Sequence, residues 1–193
     1  MPKVSNRERI LSEGLRVVHE RGFANASVRD IVAAAGVPQG SFTNHFTSKE
    51  AFGLEIIERY FANSRRIIAE TLRDDERKPL DRLEAYIDAQ IERMSRNRCR
   101  NGCLFGNFTA EMSESSEPIR TRVVEIFAET RAAIAYCLRA AVSAGEITKV
   151  IDCDDIAAFT VSSLQGAILL AKAQRGPEPI ERFKRILFAS VLR

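Results

Sequence analysis

Gln39, Gly40, Ser41, Thr43, Asn44 and His45 crowd amide, hydroxyl and imidazole groups into one short stretch, and no acidic residue occurs from Ile31 through Lys49. Phe42 and Phe46 lie in the same stretch, four residues apart. On a helix of about 3.6 residues per turn the two rings share one side. That side points toward a core with Val17, Val18, Ile31 and Val32. Gly40, Ser41, Thr43 and Asn44 then point the other way, with Gln39 and His45 at the margins. A face of donors and acceptors without negative charge suits the DNA major groove, where such groups meet base edges and phosphates. Gly40 would let the backbone approach closely. Ser48 and Lys49 open the next helix, where free backbone amides attract phosphate and Lys49 adds a full charge.

A second stretch with chemical potential is "RCRNGCLFGNFTAEM". Asn101-Gly102 signals a turn, so Cys103 falls at or near a helix start. Helix amides and the nearby Arg98 and Arg100 both favour a thiolate, which would make Cys103 a nucleophile near neutral pH and a candidate redox sensor. The competing reading is a small buried residue at a tight helix start. Cys99 is a candidate resolving thiol, subject to disulfide geometry. Cys137 and Cys153 are expected to be structural. No two cysteines have C-x-x-C spacing, and His19 and His45 are far from them in sequence. No metal site and no cofactor are therefore expected.

The elements that must position these groups read as helical throughout. Ile10, Leu11, Gly14, Leu15, Val17 and Val18 form one face of a first helix, which Gly22 ends. Ser27 caps a second helix, with Asp30 three residues on and a stripe of Val28, Ile31, Val32 and Ala35. Gly36 closes it, and Pro38 starts a third helix running to His45. Two short helices joined in this way have helix-turn-helix spacing. Ser48 caps a longer fourth helix through Phe52, Ile56, Ile57, Tyr60, Phe61 and Ile67. The charge run from Arg73 to Lys78 reads as a solvated helix end and loop. Further helices are expected from Leu80 to Ser95, Cys103 to Met112, Glu117 to Ala144, Asp154 to Arg175 and Pro179 to Leu192.

The 193 residues, 45% of them hydrophobic, suffice for one or two domains with a real core, and a net charge of +3 permits nucleic-acid binding without arguing for it. The start, "MPKVSNRERI", is too polar for a secretory signal. The most apolar stretch, Ile156 to Ala173, is broken by Thr160, Ser162, Ser163 and Gln165, so a buried helix is expected in place of a membrane span. A cytoplasmic location follows.

The segment "RERILSEGLRVVHERGFANASVRDIVAAAGVPQGSFTNHFTSKEAF", residues 7–52, resembles the N-terminal domain of the TetR family of bacterial transcriptional regulators. The resemblance implies an all-α fold, with a helix-turn-helix DNA-binding domain over residues 1–50 and a helical effector-binding and dimerisation domain over residues 51–193. It implies a homodimeric repressor that leaves a palindromic operator when a small-molecule inducer binds. The candidate DNA contacts are Ser27, Gln39, Gly40, Ser41, Thr43, Asn44, His45 and Lys49. Many members have a tyrosine at the position of Thr43, where its hydroxyl meets a phosphate; threonine is shorter and could instead meet a thymine methyl. "GCLFGNFTAEMSE" is similar to a subgroup that includes the repressor of N-ethylmaleimide reductase, in which the matching cysteine senses electrophiles and reactive chlorine.

Tyr86, Met94, Cys103, Phe105, Phe108, Met112, Phe127 and Tyr136 supply the aromatic and soft surface of the middle helices and are the candidate ligand pocket, with ordinary core packing as the alternative. Phe159, Ser163, Gly166, Ala167 and Leu170 lie along one side of the eighth helix, and Phe183 and Leu187 can extend that side from the ninth. They are the candidate dimer surface, with the chain's own core as the alternative. The rival functions are a helical protein-interaction module and a thiol-dependent enzyme. A Cys-His pair would have to cross domains, and the chain has no nucleotide loop or metal motif.

Overall fold

The computed structural model describes residues 4–148 and 150–193. α1 (Asn6–Arg21) starts at Ser5, whose hydroxyl accepts the Glu8 N–H, and ends at Gly22, whose N–H closes on the Val18 carbonyl. α2 (Val28–Ala35) begins with the expected capping box. Ser27 accepts from the Asp30 N–H while the Asp30 carboxylate accepts from the Ser27 N–H, so the two satisfy each other's orphan donors. Hydrogen bonding to Ser27 holds the Asp30 pKa below the usual carboxylate value. Gly36, at φ +60, supplies the left-handed residue that stops α2.

α3 spans Gly40–His45, two residues shorter at its start than the sequence pattern predicts. Pro38 still initiates the turn, since its carbonyl accepts the Ser41 N–H at 2.9 Å. α4 (Lys49–Glu70) is capped by the Ser48 hydroxyl, which accepts the Ala51 N–H at 2.9 Å.

The Phe42, Phe46 and Phe52 rings form one cluster, with centroids 5.1 to 5.2 Å apart. Burial of an aromatic side chain of this size contributes about 1.5–3 kcal/mol, so the cluster is a large part of what fixes the short α3. Gly14 makes room for it. A methyl at that position would run into the Phe52 ring and meet Ile31 Cγ2 at 3.2 Å.

The remaining helices are α5 (Pro79–Ser95), α6 (Leu104–Met112), α7 (Glu117–Ser143), α8 (Cys153–Gln174) and α9 (Glu178–Ile186). The final stretch was expected to stay α-helical to Leu192. Instead the coil widens to a π-helical turn over Leu187–Val191. The chain divides into two compact units, residues 1–62 with 104–124 and residues 63–103 with 125–193. The expected boundary after residue 50 falls inside α4, and α6 groups with the helix-turn-helix.

In the second unit α9 packs on α8 and α5. Lys184 bridges Glu84 and Asp88 on α5 at 2.9 and 2.6 Å. Arg82, almost fully buried, donates to the Arg77 carbonyl at 2.7 Å and pairs with Asp75, which ties the charged loop onto α5. α8 is long and apolar enough to cross a membrane by length and composition. In the fold it buries a stripe of Ala157, Thr160, Leu164, Ala167, Ile168 and Ala171.

Candidate nucleic-acid interface

The outer face of α3 is built as the sequence pattern requires, with one exception. Gln39, Gly40, Thr43, Asn44 and His45 are exposed, and nothing stands within 4 Å of a Cβ placed on Gly40. Thr43 Oγ1 donates to the Gly40 carbonyl at 3.1 Å, which steadies the first turn and leaves the methyl group outside that hydrogen bond. Ser41 is the exception. It is buried and shares the inner side with Phe42, so it is removed from the reading face. The wheel places Ser41 on the outer side, but α3 is only six residues long and packs on both α1 and α2, and Ser41 is buried there.

Two further candidates are already engaged within the fold. The Ser27 hydroxyl is engaged in the capping box and serves first to fix α2. Lys49 does not project from the start of α4. Its ammonium donates to the carbonyls of Phe23 at 2.6 Å and Ala24 at 3.3 Å, and lies 4.7 Å from the Phe23 ring centroid. Partial burial pushes its pKa down, with the Glu111 carboxylate opposing that shift. The charge expected to meet a phosphate is thus already engaged inside the unit. A cation the sequence pattern did not single out stays exposed. Arg29, on α2, is exposed and makes no ion pair among the described residues. A lone arginine on the outer side of a capped second helix was the available signal.

The eight candidate pocket residues are divided between the two units. Phe105, Phe108 and Met112 fall in the first unit, and Tyr86, Met94, Cys103, Phe127 and Tyr136 in the second. Phe108 is core, packed on Phe23 with centroids 4.9 Å apart. Phe105 meets Tyr60 and Phe61 edge-on at 5.0 and 5.9 Å. The Tyr136 hydroxyl donates to Asp75 at 2.9 Å, and Arg73 lies over its ring, so it secures the charged loop. A groove of about 500 Å³ lies between α5 and α9, lined by Glu84, Asp88, Ile91, Glu181, Lys184, Arg185, Phe188, Ala189 and Arg193, none of them among the eight.

Cys103 is buried directly before α6, behind a tightly wound segment in which Arg98, Cys99 and Gly102 all have positive φ. Cys99 is fully buried, and burial raises its pKa. Of the candidate dimer residues, Ala167, Phe183 and Leu187 are buried within the chain's own second unit and are removed from the surface set. Phe159, Gly166 and Leu170 are exposed and Ser163 is half-buried; Leu169 and Ile186 are also exposed.

The sequence pattern described as bacterial regulatory proteins of the tetR family matches residues 10–56, and that of the tetracyclin repressor-like C-terminal domain matches residues 79–187. The chain belongs to the TetR family. Among TetR-type relatives it is 38% identical to the HTH-type transcriptional repressor DhaR of Mycobacterium sp. (strain GP1), over 100% of this chain and 95% of DhaR. It is 30% identical to the repressor NemR of Escherichia coli, over 91% of this chain and 88% of NemR. The crystal structure of regulatory protein TetR from Rhodobacter sphaeroides superposes with a TM-score of 0.88 at 32% identity, covering 93% of this chain and 95% of that one. Within the TetR family the helix-turn-helix binds DNA. The chain is a DNA-binding transcriptional regulator and not an enzyme.

Proposed function

We propose that this TetR-family chain is a cytoplasmic homodimeric repressor that binds a palindromic operator and is released by a small-molecule inducer. The observation that carries the reading is the exposed, acid-free face of α3, fixed from behind by the Phe42–Phe46–Phe52 cluster. Gln39, Thr43, Asn44 and His45 are the base-reading set, with Gly40 allowing close approach and Arg29 supplying a phosphate contact.

The dimer forms through the exposed face of α8 and α9, with Phe159, Ser163, Gly166 and Leu170 joined by Leu169 and Ile186. Four apolar side chains left in water along two adjacent helices are what a second copy would cover, and Gly166 permits close approach. Two-fold symmetry then requires two operator half-sites related by the same axis. Inducer and operator oppose each other by the same factor in either direction. A second reading of the trigger is covalent modification of Cys103. It draws support from the left-handed backbone at Arg98, Cys99 and Gly102 just before that thiol, since such conformations are kept at working sites.

The test is light scattering combined with binding to duplexes selected from a random pool. Wild type should scatter at about twice the 21.6 kDa of one chain and select palindromes. Leu170→Glu should be monomeric and bind the selected duplex at least about tenfold more weakly, since one half-site contact is lost. A monomeric wild type at micromolar concentration would refute the dimer, and selected sites without symmetry would refute the palindrome.

A further inference from the structure

The turn between α1 and α2 carries no base-reading side chain, yet it fixes where α2 begins. A single peptide unit in it, Phe23 C=O with Ala24 N–H, is gripped at both ends. The Lys49 ammonium, at the start of α4, donates to the Phe23 oxygen at 2.6 Å. The Glu111 carboxylate, in the last turn of α6, accepts the Ala24 N–H at 2.8 Å. A cation on the oxygen and an anion on the hydrogen act along the same dipole, and hydrogen bonds of this charged kind are the stronger ones. The same carboxylate covers Gly22, where a Cβ would stand 2.6 Å from its Oε1; Gly22 also has φ +87, so no side chain competes for the space. Phe23 packs on Phe108, three residues before Glu111 on the same helix. Residues 87 apart in sequence are thereby joined at the entry to the DNA-reading helices.

We propose that Glu111 is a positioning residue for DNA recognition: through the Phe23–Ala24 peptide it sets the entry of α2, and with it the pose of α3. Glu111 touches no DNA itself. Three residues after Ala24 comes Ser27, whose reciprocal contacts with Asp30 make the first turn of α2 rigid, so a displacement of the turn is passed to the helix. The inference rests on α2 and α3 being the DNA-reading pair.

The experiment compares wild type, Glu111→Ala and Glu111→Gln on duplexes that wild type selects from a random pool, and on unrelated duplex, across a range of salt. A wild type that selects no duplex would sink the DNA-reading pair itself and not the role of Glu111. Glu111→Ala should bind the selected duplex about tenfold more weakly, because binding must then order a turn that this hydrogen bond holds in the free protein. Its salt slope and its affinity for unrelated duplex should stay as in wild type, because no phosphate contact is removed. Glu111→Gln keeps an acceptor for the Ala24 N–H and should recover most of the loss. The proposal is overturned by folded Glu111→Ala at wild-type affinity, by equal losses on both duplexes, or by Glu111→Gln as weak as Glu111→Ala. Should the alanine variant not fold, Glu111→Asp carries the test. Its carboxylate falls one methylene short, so selected duplex is bound severalfold more weakly and unrelated duplex as before; wild-type binding of both overturns the proposal.

Discussion

Replacing Lys49 with methionine separates a structural cation from a phosphate anchor. The substitution keeps most of the side-chain length and its contact with the Phe23 ring but removes the ammonium that donates at 2.6 Å to the Phe23 carbonyl and at 3.3 Å to that of Ala24. The shorter bond is worth about 1.5–3 kcal/mol as a charged hydrogen bond. Loss of the cation–π contact adds about 0.5 kcal/mol, and a sulfur–aromatic contact returns a similar amount. Relief of the partial burial of a charge lowers the total, leaving a net destabilisation of about 2 kcal/mol. For a chain of this length about 2–4 °C of melting temperature goes with each kcal/mol, so the melting temperature should fall by about 4–8 °C. Circular dichroism at fixed scan rate measures it. The salt dependence of operator binding is measured on the same samples. A lost phosphate contact flattens the slope by about 0.9, whereas a cation already engaged by carbonyls leaves it unchanged. Unchanged melting together with a flattened slope would refute the reasoning and return Lys49 to the phosphate backbone.

Gly14→Ala should destabilise the first unit by about 1–3 kcal/mol through overpacking, because the new methyl meets the buried Phe52 ring; a denaturant midpoint equal to wild type would show that the ring can move aside. Cys137, whose thiol faces the Pro79 carbonyl at 3.0 Å, has its pKa pushed from 9.0 up to about 11 by burial. The folded state therefore holds this proton more tightly than the unfolded chain. The stability it contributes is present below about pH 9 and is lost as pH rises through about 11. Alkylation of Cys137 by a mild thiol reagent should stay slow to pH 9, and a rate matching a free thiol at pH 8 would contradict the burial.

Helix starts and one helix end were legible in the sequence because the signals are local. Ser27 with Asp30, Gly36 and Ser48 each act within a few residues of where they stand, and each does in the structure what the spacing implies. Lys49 was not legible, because its partners are backbone carbonyls, which every residue carries and no side-chain pattern reveals. Ser41 was read as outward-facing for a related reason: a wheel drawn on a six-residue helix says nothing of the neighbours that pack against it. Ala167, Phe183 and Leu187 are apolar at helical spacing, but that spacing is the same whether the covering surface belongs to the chain or to a second copy. Grouping α6 with the helix-turn-helix depends on contacts such as Ala24 to Glu111, which lie far beyond any local window.

Gln39, Asn44 and His45, three of the residues proposed to read bases, differ from their neighbours in how little of the fold depends on them. Gln39 makes no capping hydrogen bond, Asn44 has no partner among the described residues, and His45 only edges the Phe46 ring. The pose of α3 rests instead on Phe42, Phe46 and Phe52 behind it. Mutations at positions 39, 44 and 45 therefore carry little cost in folding. A lineage built on this scaffold can drift from one operator to another through folded intermediates, while the phenylalanines behind the reading face stay under constraint.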